Sequence, residues 1–169
     1  MGEIKLDGYC GLYCGGCDVF RLSEKARKAG GRAQWWEMPE RLRKVLREDD
    51  VVCHGCKSDT LFSGCRRCPI RKCADRKGVE SCALCARYPC FYFRIMDIFV
   101  RWRRLDKKLP HVTCRRPNLE SIRRNGLESF LSEQERAWKC PGCGAPVSWY
   151  LEHCLSCGRG NEEHFGSGG

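Results

Sequence analysis

The sequence predicts a small α-rich, irregular, metal-stapled domain, followed by a helical connector and a small β zinc ribbon. Three observations support this fold class. Sixteen of the 169 residues are cysteine, a content that is typical of disulfide scaffolds or of metal-binding proteins. Apolar residues recur at helical spacing in four segments. The last four cysteines form two pairs with the spacing of a zinc ribbon.

The N-terminal sequence and the hydropathy of the chain predict a cytoplasmic protein. The first residues, MGEIKLDGYC, lack the basic start and the apolar run of a signal peptide, and no later stretch approaches the ~20 apolar residues that span a bilayer. Thiols stay reduced in the cytoplasm, so closely spaced cysteines are there more often metal ligands than disulfides. A disulfide framework is the alternative, and it requires an export route.

The formal charge of +10 would by itself suggest nucleic acid or an acidic surface as a partner. That charge leaves out the thiolates. Sixteen thiolates around four divalent ions would add a net charge of about −8 and leave about +2. A four-iron cluster with four thiolates carries the same net charge per site. Much of the basic excess therefore offsets anionic metal sites, and the indication of nucleic-acid binding becomes weaker.

Two short helices are predicted before the central cysteine block. Residues 18–31 place small or apolar side chains at helical spacing, and Gly30 and Gly31 end the segment. Residues 38–49 form the second segment, in which Pro39 suits a first helical turn.

The strongest helix prediction covers residues 91–109. Its apolar stripe recurs every three or four residues and consists of Phe91, Ile95, Ile98, Trp102, Leu105 and Leu109. The basic side chains lie on its other faces, which is typical of a solvated surface. A turn is expected between Pro110 and Pro117. Residues 118–138 then predict a helix that is capped by Asn118 and broken at Gly126.

The clearest motif is KCPGCGAPVSWYLEHCLSCG, close to the C-terminus. Its two cysteine pairs are separated by ten residues, and a glycine follows the second cysteine of each pair. This spacing allows two tight turns to face each other around one tetrahedral ion. We therefore expect structural zinc, with a rubredoxin-like iron site as the alternative, on Cys140, Cys143, Cys154 and Cys157.

The stretch CGLYCGGC contributes Cys10, Cys14 and Cys17. Its C-x3-C-x2-C spacing resembles that of radical-SAM enzymes, which bind a four-iron cluster. That family is disfavoured here, because Gly16 replaces an aromatic residue before the last cysteine and no series of alternating strands and helices follows. Three thiols do not complete a tetrahedral set. A metal centre completed by a distant residue is the prediction.

The block between residues 53 and 90 has too few large apolar residues for a core of its own, so bound metal is expected to stabilise it. It contains VVCHGC and two C-x2-C-x4-C units, CRRCPIRKC and CALCARYPC. Prolines beside the cysteines favour iron and sulfur. The predicted ligands are Cys53, Cys56, Cys65, Cys68, Cys73, Cys82, Cys85 and Cys90. One grouping puts the first four around one ion and the last four around another, but spacing leaves other groupings open.

Three further residues are candidate ligands. Cys114 stands alone, and ligand and bystander are equally favoured for it. His54 and His111 offer ring nitrogens, although a solvent-facing histidine is the commoner case. No phosphate loop, G-x-S-x-G or H-E-x-x-H motif is present, and no single cysteine stands out as a nucleophile. The sequence therefore leaves open whether the protein is an enzyme.

These motifs resemble the cysteine-rich family known as domain of unknown function 3795. The resemblance is carried by CGLYCGGC, by CHGC, by CPIRKCADRKGVESCALCARYPC and by GLESFLSEQERAWKCPGCG. It covers residues 9–158, and the long central string is its most specific part. The resemblance implies metal binding and no particular activity, and the anaerobic hosts of many members favour iron and sulfur.

The predicted organisation has a cysteine-rich metal- or cluster-binding domain at 1–116, a helical connector at 117–138, a zinc ribbon at 139–165 and a flexible tail at 166–169. The predicted function is that of a redox, electron-transfer or metallocofactor accessory protein. It would hold iron–sulfur centres, most simply 4Fe–4S clusters, and one structural zinc, and its partner would be a redox enzyme. The alternative is an all-zinc binding module for a protein or nucleic-acid partner. No membrane partner is expected.

Overall fold

The computed structural model describes residues 4–161, and the predicted flexible tail at 166–169 lies outside them. This part of the chain is helical, which confirms the α-rich prediction. Four short 3-10 segments, at Cys14–Gly16, Trp35–Glu37, Cys82–Leu84 and Pro110–Cys114, join the α-helices. The α-helices are α1 (Asp18–Lys28), α2 (Glu40–Arg43), α3 (Ser63–Arg66), α4 (Pro69–Arg76), α5 (Phe91–Trp102), α6 (Leu105–Lys108), α7 (Arg115–Asn125) and α8 (Leu127–Ala137). No helix among the described residues has the length and apolar character needed to cross a bilayer.

The first apolar core lies where the last two long helices cover the cysteine block. Phe93 of α5, Leu119 and Ile122 of α7 and Phe130 of α8 are almost fully buried there. Ile70 and Ala74 of α4 pack into the same cluster, as do Cys82 and Ala83. Most of the large side chains in the core of the cysteine block therefore come from helices that follow it in the sequence. Each large side chain buried this way contributes about 1.5–3 kcal/mol.

The second core joins the two ends of the described chain. Val19 and Leu22 of α1 and Leu42 of α2 are buried together with Leu109 and Tyr150. Tyr150 belongs to the segment between the two C-terminal cysteine pairs. The C-terminal module thus packs on the first helix.

Three helix predictions need correction. Residues 38–49 form only the four-residue helix α2, in which Leu42 is buried. The predicted helix at 91–109 is interrupted, because Arg104 adopts the left-handed conformation at φ 51° and separates α5 from α6. Asn118 lies inside α7 rather than at its start, and its side-chain amide donates to the Gly11 carbonyl at 2.8 Å. The break at Gly126 is confirmed, at φ 84° between α7 and α8.

The apolar stripe of α5 does not face the core. Phe91, Ile98 and Trp102 are largely exposed, whereas Phe93 and Val100 on the opposite side of the helix are buried. Helix α5 is therefore apolar on two faces, and the narrower face provides the packing.

The C-terminal module has antiparallel pairing only as isolated bridges, Lys139 with Pro146 and His153 with Gly160. Within residues 4–161 these pairs do not extend into a sheet. The β character of the ribbon remains a prediction.

Candidate metal centres

The C-terminal cysteines form a compact four-sulfur site. The sulfurs of Cys140, Cys143, Cys154 and Cys157 all lie within 4.8 Å of one another. The Cys140–Cys157 and Cys143–Cys154 sulfur pairs are each 3.7 Å apart. A tetrahedron with zinc–sulfur bonds of about 2.3 Å has edges of about 3.8 Å, so the spacing fits one tetrahedral ion.

Tight turns present these sulfurs to the ion. Gly144 and Gly158 follow the second cysteine of each pair, and both have positive φ, 70° and 73°. Their N–H groups donate back to the carbonyls of Cys140 and Cys154, at 2.8 and 2.9 Å. Glycine adopts this left-handed conformation without a steric cost, which explains its position in both turns.

The charges of the four thiols call for a cation. The backbone N–H of Gly142 lowers the pKa of the Cys140 thiol to about 7. The Ala145 N–H acts in the same direction on Cys143, but the neighbouring sulfurs outweigh it and raise the pKa of that thiol to about 12. One thiolate forms readily and the next is opposed, so complete ionisation needs a bound cation.

The segment between the two cysteine pairs inserts beside CGLYCGGC. The buried Asp18 Oδ1 accepts hydrogen bonds from Ser148 Oγ and from the N–H groups of Tyr150 and Leu151, at 2.8–2.9 Å. The Trp149 N–H donates to the carbonyl of Gly16 at 3.0 Å. Burial raises the pKa of Asp18 to about 6. The carboxylate thus fixes the C-terminal module against the start of α1.

The glycines of CGLYCGGC allow neighbouring residues to pack closely against the backbone of the motif on three sides. A Cβ on Gly15 would lie 2.3 Å from the Tyr13 ring, and one on Gly16 would lie 3.0 Å from the Trp138 ring. Gly11, at φ 89°, would place its Cβ 2.5 Å from the carbonyl oxygen of Arg115 in α7. The motif is therefore held between the rest of its own loop, α7 and the C-terminal module.

Four further predicted ligands interact with the three cysteines of this motif. The Cys56 N–H points at the Cys14 sulfur at 3.4 Å, as in a hydrogen bond to a thiolate. Cys17, Cys53 and Cys56 act electrostatically on Cys14, and Cys56 and Cys68 act on Cys10. Four of the seven, Cys10, Cys17, Cys53 and Cys56, act on Cys65. Cys10, Cys14, Cys17, Cys53, Cys56, Cys65 and Cys68 thus form one group of interacting thiols, which three separate stretches of the sequence supply. Within residues 4–161, no three of these sulfurs are as close to one another as the four C-terminal sulfurs, which all lie within 4.8 Å.

Burial makes these thiols difficult to ionise without metal. It raises the pKa values of Cys10 and Cys17 to about 12, and it also raises those of Cys14 and Cys65 well above the usual value of a thiol. A multivalent cation would offset this desolvation and allow several sulfurs to bind as thiolates. The donor set fits iron or zinc, since both accept four sulfurs in tetrahedral geometry.

The other four cysteines of the central block line one small cavity. Its walls are formed by Cys73, Cys82, Cys85 and Cys90 together with apolar residues that include Ile70 and Val79, and its volume is about 20 Å³. Burial raises the pKa of Cys82 to about 12, and the neighbouring thiols Cys10, Cys90, Cys85 and Cys73 act in the same direction. The sequence motif supplies Cys73 from the first C-x2-C-x4-C unit and the other three from the second.

Three of these cysteines are the residues that cap helix N-termini. Cys17 precedes α1, Cys68 precedes α4 and Cys90 precedes α5. The N–H groups of Phe20 and Val19 lower the pKa of Cys17, partly offsetting the effect of burial. Unpaired N–H groups and the helix dipole both favour negative charge at this end, so thiolates are stabilised there.

The three additional candidate ligands lie elsewhere. Cys114 precedes α7 and lines a different cavity, beside Trp138 and Trp149. His54 lines an open cavity of about 530 Å³. His111 Nδ1 lies 2.7 Å from the Tyr150 hydroxyl, and burial lowers its pKa to about 4. His111 is therefore a neutral hydrogen-bonding residue of the second core.

Several supporting residues carried no recognisable sequence signal. Asp18 reads as an ordinary first-turn acid, yet it organises the junction between the two modules. Lys57 forms an ion pair with Asp7, and both side chains are buried. The guanidinium of Arg71 donates to the carbonyls of Cys56 and Ser58 at 2.9 and 3.2 Å. The last two interactions fix the loop that carries Cys53 and Cys56.

Comparison with known proteins identifies one family. Comparison with curated proteins gives no match, and comparison with solved structures gives none either. One family model matches residues 6–94, which is more than half of the chain and includes eleven of the cysteines described above. The chain belongs to the family described as protein of unknown function (DUF3795).

Proposed function

We propose that this protein is a redox or metallocofactor accessory protein with iron–sulfur centres in the cysteine block and a structural zinc in the C-terminal module. The four thiols that interact with the three cysteines of CGLYCGGC support the first part, as does the Cys56 N–H that points at the Cys14 sulfur. The 3.7 Å sulfur spacing at the C-terminus supports the second.

The electron-transfer role follows from the chemistry of the donor set. A four-iron cluster, when bound, supplies reversible one-electron chemistry, and hydrogen bonds to its sulfurs tune its potential. The residues of this chain would supply thiolates, the Cys56 N–H near Cys14, and helix N-termini behind Cys17 and Cys68. Each of these groups stabilises negative charge, and together they favour a centre that accepts an electron readily.

Anaerobic purification tests this proposal. We expect brown protein that contains iron, acid-labile sulfide and about one zinc per chain, with a visible absorbance that bleaches on reduction with dithionite. Electron paramagnetic resonance of the reduced sample would then identify the cluster type. Colourless protein with zinc alone would overturn the redox proposal.

The second candidate is an all-zinc binding module. The group of Cys73, Cys82, Cys85 and Cys90 around one cavity supports it, because four thiolates are the number that one tetrahedral zinc ion takes. In that case the basic surface would meet protein or nucleic acid. Binding to nucleic acid should then weaken steeply with salt, and salt-independent or absent binding would exclude a nucleic-acid partner.

A further inference from the structure

The exposed face of α5 is a feature that metal binding does not explain. Six apolar side chains form a continuous arc along the helix, and each is 38–73 % exposed. Their area is roughly 600 Å², at the upper end of the patches that monomers leave in water. The six residues, here called the α5 ridge, are Phe91, Tyr92, Ile95, Ile98, Phe99 and Trp102.

The ridge is rigid. Phe93 and Val100, on the opposite side of the helix, are buried in the core. Within the ridge, the rings of Phe91 and Tyr92 are 6.0 Å apart and those of Phe99 and Trp102 are 6.3 Å apart. A row of large side chains at four- and three-residue spacing on an anchored helix is the form in which helices enter apolar grooves.

The charges around the ridge are positive. Arg94 and Arg101 flank it, and Arg103 places its guanidinium 5.7 Å from the centre of the Trp102 ring. None of these three arginines, nor Arg104, forms an ion pair within residues 4–161. The acidic residue of α5, Asp97, is held by Arg115 and Arg116. The complementary surface is therefore acidic.

The ridge also adjoins a candidate metal centre. Cys90 immediately precedes Phe91, and Tyr92 lines the same cavity as Cys85 and Cys90. Leu84, between Cys82 and Cys85, is exposed as well. A protein seated on the ridge would cover this side of the centre.

We propose that the α5 ridge is the docking surface for a partner protein with an apolar groove edged by aspartate and glutamate. This proposal rests on the proposed function, since it places the redox partner beside the centre at Cys73, Cys82, Cys85 and Cys90. A second copy of this chain fits poorly, because Arg94 and Arg101 would face the same residues. A bilayer fits the apolar face, but it would place lipid against the centre where the partner's acceptor is needed.

Site-specific photo-crosslinking tests the ridge in the full-length protein. One form carries p-benzoylphenylalanine at Ile98, and the control carries it at Trp36, which is also strongly exposed and belongs to the 3-10 segment Trp35–Glu37 rather than to α5. We expect a protein adduct at position 98 and not at 36. The crosslinked protein is then purified, and its affinity for this chain is measured.

The affinity measurement compares Trp102→Ala with Trp36→Ala, since the two tryptophans are 73 % and 70 % exposed. We expect Trp102→Ala to weaken binding by about 30-fold, as for a central aromatic anchor, and Trp36→Ala to leave it unchanged. Affinity should also fall as salt rises. Affinity for Trp102→Ala within about threefold of the unchanged chain would overturn the proposal.

Three other results would also overturn it. They are the absence of a protein adduct specific to position 98, a homodimer adduct with concentration-dependent sedimentation, and flotation with phosphatidylglycerol vesicles that Trp102→Ala abolishes. The absorption spectrum separates docking from redox function. A bleachable cluster with unaffected Trp102→Ala binding refutes the docking surface alone, whereas a colourless zinc protein that still needs Trp102 refutes the redox function alone.

Discussion

The two cysteine regions of this protein are organised in opposite ways. The C-terminal site is local, since four sulfurs within 18 consecutive residues meet at tetrahedral spacing. Two of its sulfurs, those of Cys143 and Cys157, are exposed. The N-terminal sulfurs are mostly half-buried or buried, and three stretches of sequence supply them. A local site can be recognised from the spacing of its cysteines in the sequence. A site assembled from distant segments forms only when the whole chain packs.

Replacement of one metal ligand should give the largest difference in stability between the two cysteine regions. We expect Cys56→Ser to remove metal from the N-terminal region and to abolish its cooperative unfolding, because structural metal contributes on the order of 10 kcal/mol to folding. Cys143→Ser should release the zinc and leave most of the helical circular dichroism intact. Metal analysis and thermal melts of both variants check this. Full ellipticity in metal-free Cys56→Ser protein would contradict it.

The junction between the regions gives the next largest effect. Asp18→Ala removes the acceptor of three hydrogen bonds and leaves the buried N–H groups of Tyr150 and Leu151 unpaired. We expect a loss of about 3 kcal/mol in urea unfolding, with metal content unchanged. Asp18→Asn keeps an acceptor oxygen and should be milder. Equal stability of Asp18→Ala and the unchanged chain would show that the junction is not needed.

The glycines of the first motif allow a matched comparison. Gly11 and Gly30 both have positive φ, but only a Cβ on Gly11 meets a neighbour, the Arg115 carbonyl at 2.5 Å. Gly30→Ala should cost about 1 kcal/mol for the left-handed backbone alone. Gly11→Ala should cost about 2 kcal/mol more, since α7 must shift. Similar unfolding midpoints for the two variants would argue against close packing at the motif.

The pH dependence of the second core is the smallest effect. Burial lowers the pKa of His111 from 6.5 to about 4. Below pH 6.5 the His111 ring takes up a proton in the unfolded chain, whereas in the folded chain it stays neutral down to about pH 4. The stability that the neutral ring contributes is therefore complete above pH 6.5 and decreases as the pH falls. Between pH 7 and 5.5 the loss should be about 1 kcal/mol. His111→Gln should remove this part of the pH dependence, and an unchanged slope in urea titrations would contradict it.

Much of the local structure follows from the sequence alone. Helix α1 and the break at Gly126 appear where apolar spacing and glycine predict them. The C-terminal cysteines meet because short turns force them together. The end of α5 was less predictable. The helical segment is interrupted at Arg104, which adopts the left-handed conformation although neither glycine nor proline marks a break there.

The assembly of distant segments was beyond sequence reasoning. Asp18 accepts hydrogen bonds from residues near the other end of the chain, and an acidic residue in a first helical turn is ordinary without that context. The stripe of α5 was correctly predicted as apolar, but its exposure depends on which face α7 and α8 cover. Phe93 and Val100 are the residues of α5 that face the core, and tertiary packing, rather than the periodicity of the sequence, selects them.

The hydrogen bond between Ser148 and Asp18 spans 130 residues. At usual rates of translation, the ribosome needs on the order of 10 s to synthesise that interval. During this time residues 10–18 have left the exit tunnel, while the segment that will pack against them does not yet exist. The sulfurs of residues 10–18 are then more accessible than in the folded protein. The order of synthesis therefore provides an interval in which metal can be delivered before the C-terminal segment packs against them.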